Sequence, residues 1–140
     1  MKVQFIKDQS SLIRGFTPVY YNNNTMSSDV DKIHDNQAEL ILATDIIDAF
    51  KVELMPELLK KLVSKTRMNG KIVIGGTDIR LFCKNVINSA ISEEDASKII
   101  GELQSCMSHA AIERLINSSG LYVEQMILNG VHYEFTVIRK

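Results

Sequence analysis

The chain has 140 residues, 45% hydrophobic and 24% charged, with 16 Lys and Arg against 17 Asp and Glu. This length and balance describe one globular domain, residues 1–140, large enough to bury a core without disulfide or metal staples. A net charge of -1 lacks the cationic excess that generic nucleic-acid or anionic-membrane binding relies on. No apolar run approaches the ~20 residues that span a bilayer, and the N-terminus has no apolar block of a signal peptide, so a cytoplasmic protein is expected.

Met1 to Lys7 (MKVQFIK) alternates Val3 and Phe5 with Lys2 and Gln4, the period of a strand. Phe16 to Tyr21 (FTPVYY) predicts a second strand, in which Pro18, lacking an N–H, fits an edge or a bulge. Asn22 to Ser28 (NNNTMSS) reads as a polar turn or loop, and Ala38 to Thr44 (AELILAT) as a buried parallel strand. A helix is expected on Met55, Leu58, Leu59 and Leu62, spaced i, i+3, i+4, i+7, with Asn69-Gly70 as its stop signal. Lys71 to Gly75 (KIVIG) is a further β-branched strand.

Three more helices follow. Ile79, Phe82, Cys83 and Val86 mark the first. Ala96, Ile99, Ile100 and Leu103 mark the second, opened by Ser92 and Asp95 in an acidic variant of the capping box. Met107, Ala111, Leu115 and Ile116 mark the third, which ends before Gly120. Leu121 to Leu128 and Val131 to Ile138 alternate as strands joined at Asn129-Gly130, the signal of a type I′ hairpin. Strands alternating with helices predict an α/β fold: a mostly parallel sheet with helices on both faces, closed by a C-terminal antiparallel hairpin.

Chemistry-bearing residues are sparse. Cys83 and Cys106 lie in apolar helical patterns without a CxxC partner and read as core or half-buried thiols. His34, His109 and His132 are scattered and match no metal spacing, so no metal site and no catalytic residue is predicted. Gly75-Gly76-Thr77-Asp78 joins a strand to a helix, as a phosphate loop does, but has no following Lys, and Asp78 repels anions. Thr77 or Asp78 as a helix N-cap is the preferred reading. Glu93, Glu94 and Asp95 complement a helix dipole.

Four segments in order resemble the compact class I S-adenosylmethionine-dependent methyltransferases. AELILATDIIDAF is similar to their fourth strand and its turn, and TRMNGKIVIGGTD to the turn and fifth strand. ISEEDASKIIGEL resembles an insertion of short members, and IERLINSSGLYVEQMILNGVHYEFTVIRK the closing helix and last two strands. The resemblance implies a Rossmann-like sheet and, if the cofactor site survives, S-adenosylmethionine held by Asp8, Tyr20, Thr44 and Asp45. Asp45 and Asp48 stand where family residues face substrate or support the pocket.

The first quarter departs from the family. Its members run from the first strand into G-x-G, where glycines let backbone approach the cofactor; here Ile6, Lys7 and Asp8 follow, with no glycine until Gly15. The acidic residue that accepts the ribose hydroxyls is replaced by Tyr20, which offers one oxygen and more bulk. The sequence therefore predicts a non-catalytic methyltransferase-like scaffold without cofactor, its cleft filled by a side chain of Tyr20 or Tyr21. It would serve as a structural or protein-interaction subunit of a larger assembly, a virus particle among them, contacting another protein chain through Tyr21, Met26 and Val30. The alternatives are an active S-adenosylmethionine-dependent methyltransferase with an atypical first motif, and a binding module for another small ligand. The Phe5 to Asp8 turn separates them: an open pocket keeps the enzyme, whereas Ile6 and Tyr20 plugging it would remove it.

Overall fold

The alternation in the first strand decides which face of the sheet is buried. In the computed structural model, which describes residues 1–140, β1 (Lys2–Ile6) places Val3 beside Ile41 of β4 (Ala38–Ala43). Ile41 in turn lies beside Ile72 of β5 (Thr66–Thr77), and Ile72 beside Val137 of β7 (His132–Arg139). All four are fully buried. They meet Leu58, Leu59 and Leu62 of α1 (Met55–Lys65) and Ile112 and Ile116 of α4 (His109–Ser118) in one core. Leu59→Ala removes a side chain from the centre of this cluster; it is expected to cost about 3 kcal/mol in urea unfolding, within the range for buried leucines. An unchanged midpoint would place Leu59 at the surface.

With β2 (Thr17–Asn22), β3 (Thr25–Met26) and β6 (Leu121–Asn129), the strands form one seven-stranded sheet in the order β3-β2-β1-β4-β5-β7-β6. β2, β1, β4 and β5 are mutually parallel, β7 runs antiparallel between β5 and β6, and β3 turns back on β2. This is the expected α/β sheet with its C-terminal antiparallel hairpin. No helix is long and apolar enough to cross a membrane.

α1 and α4 pack on the Val3 face, whereas Leu40, Leu42, Val73, Thr136 and Ile138 on the other remain half-buried, and Lys2 and Lys71 are exposed. The cause is the crossover from β1 to β2, residues 7–16, which is shorter than a helical crossover needs and holds only a 3-10 turn at Gln9–Ser11. Gln4 ties this loop across the open face: its Nε2 donates to the Ser11 carbonyl at 3.0 Å, and Ile13 N–H donates to its Oε1 at 2.8 Å.

Several local expectations are corrected by tertiary pairing. Asn22 to Ser28 is a tight hairpin, with Tyr21 opposite Met26 and Asn24 at φ 62°. α1 ends at Lys65, where Thr66 caps it and its Oγ1 bonds the Leu62 carbonyl. Asn69-Gly70 instead forms a bulge in β5, between Thr66 opposite Ala38 and Lys71 opposite Leu40. At the C-terminal hairpin Asn129 pairs with His132, so Gly130-Val131 is the turn. Gly130 alone has positive φ, as a type II′ turn requires. The stripes of α2 (Ile79–Ile87) and α3 (Glu93–Glu102) bury only Phe82 and Ala96. Cys83 is exposed, not a core thiol, and Cys106 lies half-buried in the loop after α3.

Candidate functional site

The chain steps from β1 outward to β2 and β3, then returns to β4 on the other side of β1. Connections leaving the ends of β1 and β4 therefore diverge, and open α/β sheets bind ligands in the crevice so created. A cavity of about 340 Å³ lies there. Ile6, Lys7 and Asp8 line it from the end of β1, Thr44, Asp45 and Asp48 from the turn after β4, with Tyr21 and Glu102 at its sides.

Two further acid-centred knots fix the strand ends around it. Asp48 accepts from the Thr77 N–H at 2.7 Å and from the Thr77 Oγ1 at 2.9 Å, tying the β4 turn to the end of β5. Burial pushes its carboxyl above the ordinary range, against the pull of the Thr77 bonds and His132. Asp78 is fully buried and caps α2, its Oδ1 accepting from the N–H groups of Arg80 (2.8 Å) and Leu81 (2.9 Å). Its Oδ2 accepts from the His109 N–H at 2.7 Å and lies 2.5 Å from His109 Nδ1. Burial alone would raise the Asp78 pKa, but the bonds from His109 and Leu81 hold it below the usual value. The preferred N-cap reading of the Gly75 to Asp78 turn is thus the observed one.

β7 begins in the same region. His132 Nε2 lies 3.1 Å from the Thr44 carbonyl and 3.4 Å from Asp45 Oδ1. Its neighbour Tyr133 is fully buried, and its hydroxyl, which has no hydrogen-bond partner, sits against Gly76. Burial, with Asp48 and Asp78 nearby, pushes the Tyr133 pKa far above the ordinary tyrosine value, so the phenol stays neutral.

Tyr21 divides the crevice. Its side chain is 8% exposed, its hydroxyl has no hydrogen-bond partner within the chain, and burial, followed by Asp45 and Asp48, pushes its pKa up to about 12. Lys7 Nζ lies 5.7 Å from the ring centroid, within cation-π range. On the far side of the ring, a second hollow of about 380 Å³ opens over β2 and β3. The two hollows share only Lys7 and Tyr21 in their walls.

No protein-family profile and no curated protein matches the chain. Solved structures do. A SAM dependent methyltransferase from Archaeoglobus fulgidus superposes with a TM-score of 0.62 at 10% identity, over 96% of this chain and 74% of that one. The PH0226 protein from Pyrococcus horikoshii OT3 gives 0.65 at 14% identity, over 99% and 72%. The chain has the class I methyltransferase fold. The mitomycin 7-O-methyltransferase MmcR shares it at a TM-score of 0.64 and 11% identity, over 99% of this chain and 48% of that enzyme.

Within this methyltransferase fold, three of the four residues assigned to a cofactor, Asp8, Thr44 and Asp45, line the switch-point cavity. Tyr20 lies outside it. Neighbouring strand residues face opposite sides, so Tyr20 shares the Ile6 side of the sheet and bonds the Gln9 side chain. Asp8 also accepts from Ser10 N–H at 3.0 Å, capping the 3-10 turn. Ile6 and Tyr20 therefore do not plug the cavity; the residue that closes the groove is Tyr21. The expected interface is corrected as well. Tyr21 and Val30, 8% and 4% exposed, belong to the core and Met26 packs against it, because the β2-β3 hairpin folds that segment inward. Glu102 and His132 escaped sequence reasoning, since only the tertiary fold brings α3 and β7 to this crevice.

Proposed function

We propose that this domain is a non-catalytic form of the methyltransferase fold that works through its surface, as a subunit of a larger protein assembly. The division of the crevice by Tyr21 and Lys7 carries the first half of this reading. S-adenosylmethionine joins an amino acid to a nucleoside, and a ligand of that length must reach from the end of β1 past the end of β2, through the space the ring fills. Opening the passage would expose a buried tyrosine, at about 1.5–3 kcal/mol, out of the roughly 8 kcal/mol that micromolar binding represents. The β1 turn adds to the obstacle, because Ile6, Lys7 and Asp8 present side chains where a cofactor needs close backbone.

The uncovered sheet face supports the second half. Leu40, Leu42, Val73 and Ile138 form an apolar stripe there, continued on β6 by Tyr122 (54% exposed) and Ile127 (49% exposed). These apolar residues, with Lys71 set between Leu40 and Ile138 and with Lys2 and Glu134 beside them, have the mixed make-up of a protein contact surface. Leu42→Lys with Val73→Lys is expected to dissolve complexes that the wild-type chain forms, with itself or with co-purifying chains, in size-exclusion light scattering. Because both positions are half-exposed, the melting temperature should fall by only a few degrees, about 1–2 kcal/mol. Complexes that survive the double substitution would move the contact elsewhere and remove the support this face gives.

A further inference from the structure

Two thiols that are distant in sequence border one hollow. Cys83, in α2, and Cys106, in the loop from α3 to α4, both line a hollow of about 290 Å³, with Ile79, Phe82, Ile100 and Leu103 among its other walls. The start of α2 sets how they face. Cys106 Sγ lies 3.6 Å from the Thr77 carbonyl oxygen, just before the Asp78 cap. Cys83 is one helical turn beyond Ile79, about 6 Å along the axis, and helical side chains lean toward the N-terminus of their helix. Cys83 therefore leans along α2 toward the end where Cys106 sits.

The loop that carries Cys106 is a strap across the strand ends. Gln104 N–H donates to the Asp48 carbonyl at 2.8 Å, and Ser105 Oγ to the Ile47 carbonyl at 3.0 Å, both in the turn after β4. Leu103 lines this hollow and the crevice at the ends of β1 and β4, so the strap is a wall of both. A thiol is a weak donor, and its bond to Thr77 holds Cys106 only loosely. Exposure divides the roles of the two sulfurs. Cys83 is exposed and meets a dissolved oxidant first. Burial, followed by Asp48, Asp78 and Cys83, pushes the Cys106 thiol up to about 11, so it stays protonated and resists direct oxidation.

We infer that Cys83 and Cys106 are an oxidisable pair that closes into a disulfide, tying the strap to α2 and fixing the wall it shares with the crevice. With a low-molecular-weight disulfide, oxidised glutathione, as the oxidant, Cys83 attacks one of its sulfurs, and one glutathione leaves with the Cys83 proton. Cys106 then attacks the Cys83 sulfur of the mixed disulfide, and the second glutathione leaves with the Cys106 proton. Two protein thiols are oxidised and one glutathione disulfide is reduced.

A disulfide needs its Cα atoms within about 7 Å, so the bridge forms readily only where the fold holds the two thiols together. Intact-mass spectrometry of the full chain, equilibrated with graded oxidised glutathione at fixed reduced glutathione and then acid-quenched, tests this, with the urea-unfolded chain alongside. The folded wild type is expected to lose two hydrogens without retaining glutathione. It should do so at a level of oxidised glutathione about tenfold lower than in urea, because the fold raises the effective concentration of one thiol at the other. Cys106→Ser should trap a single glutathione on Cys83, and the bridged wild type should melt roughly 5–10 °C above the reduced chain. Glutathione retained on the wild type, a bridge between two chains in place of one within a chain, or a bridge that forms no more readily in the folded chain than in urea would overturn the pair. An unmodified Cys106→Ser would overturn the order of attack, and an oxidised chain that melts no higher than the reduced one would overturn the tie between strap and α2.

Discussion

Gly75→Ala is expected to destabilise the domain by more than about 4 kcal/mol, leaving little folded protein to measure. A Cβ built on Gly75 would lie 2.1 Å from the Thr44 carbonyl oxygen and 2.7 Å from that of Tyr133. Both are backbone atoms, one following β4 and the other in β7, so no side-chain rotation relieves the overlap. Separating the strands would break the ladders that hold β5 between β4 and β7, and a close-packed interior has no slack to absorb the shift. Urea unfolding, or the soluble yield where unfolding cannot be followed, checks this. A wild-type midpoint would mean that the strand ends around the crevice are loose, and the crevice with them.

Asp78→Ala should cost about 3–5 kcal/mol, the range for removing one partner from a buried, fully bonded charge. The substitution strips an acceptor from three backbone N–H groups, those of Arg80, Leu81 and His109, and from the His109 ring. It therefore loosens the starts of α2 and α4 together. Asp78→Asn keeps one acceptor oxygen and is expected to lose about half as much. The effect has a defined pH dependence. Because the folded-state pKa lies below the unfolded value near 4, the carboxylate's contribution is complete above about pH 4–5 and is lost as pH falls through the folded value. The stability gap between wild type and Asp78→Ala should accordingly narrow below pH 4. A gap that widens on acidification would show that the neutral acid, not the carboxylate, is the form the fold prefers.

Where neighbours in sequence are also neighbours in space, the sequence was legible. Val3 and Phe5 point to the core because a strand alternates, and Ser92 caps α3 because its hydroxyl needs to reach only three residues on, to Asp95 N–H at 3.1 Å. Asp8, Thr44 and Asp45 reach the crevice because each directly follows or opens the turn after a parallel strand. What was missed depends on distant partners. Asn69-Gly70 looks like a helix stop but acts as a bulge, because β5 pairs with β4 from Thr66 onward. The choice between Tyr20 and Tyr21 turned on a single step of register, and one step moves a side chain to the opposite face. The bare sheet face follows from a crossover too short to coil, although its two flanking strands were each legible.

A groove cut in two by Tyr21 is incompatible with tight binding of a ligand that spans both halves, and calorimetric titration of S-adenosylhomocysteine into the full chain measures this directly. No saturable heat is expected at ligand concentrations up to the hundreds of micromolar, where even a weak complex of about 6 kcal/mol would register. A dissociation constant of about 10 µM or tighter would show instead that the groove is continuous, and it would contradict the non-catalytic reading of this domain.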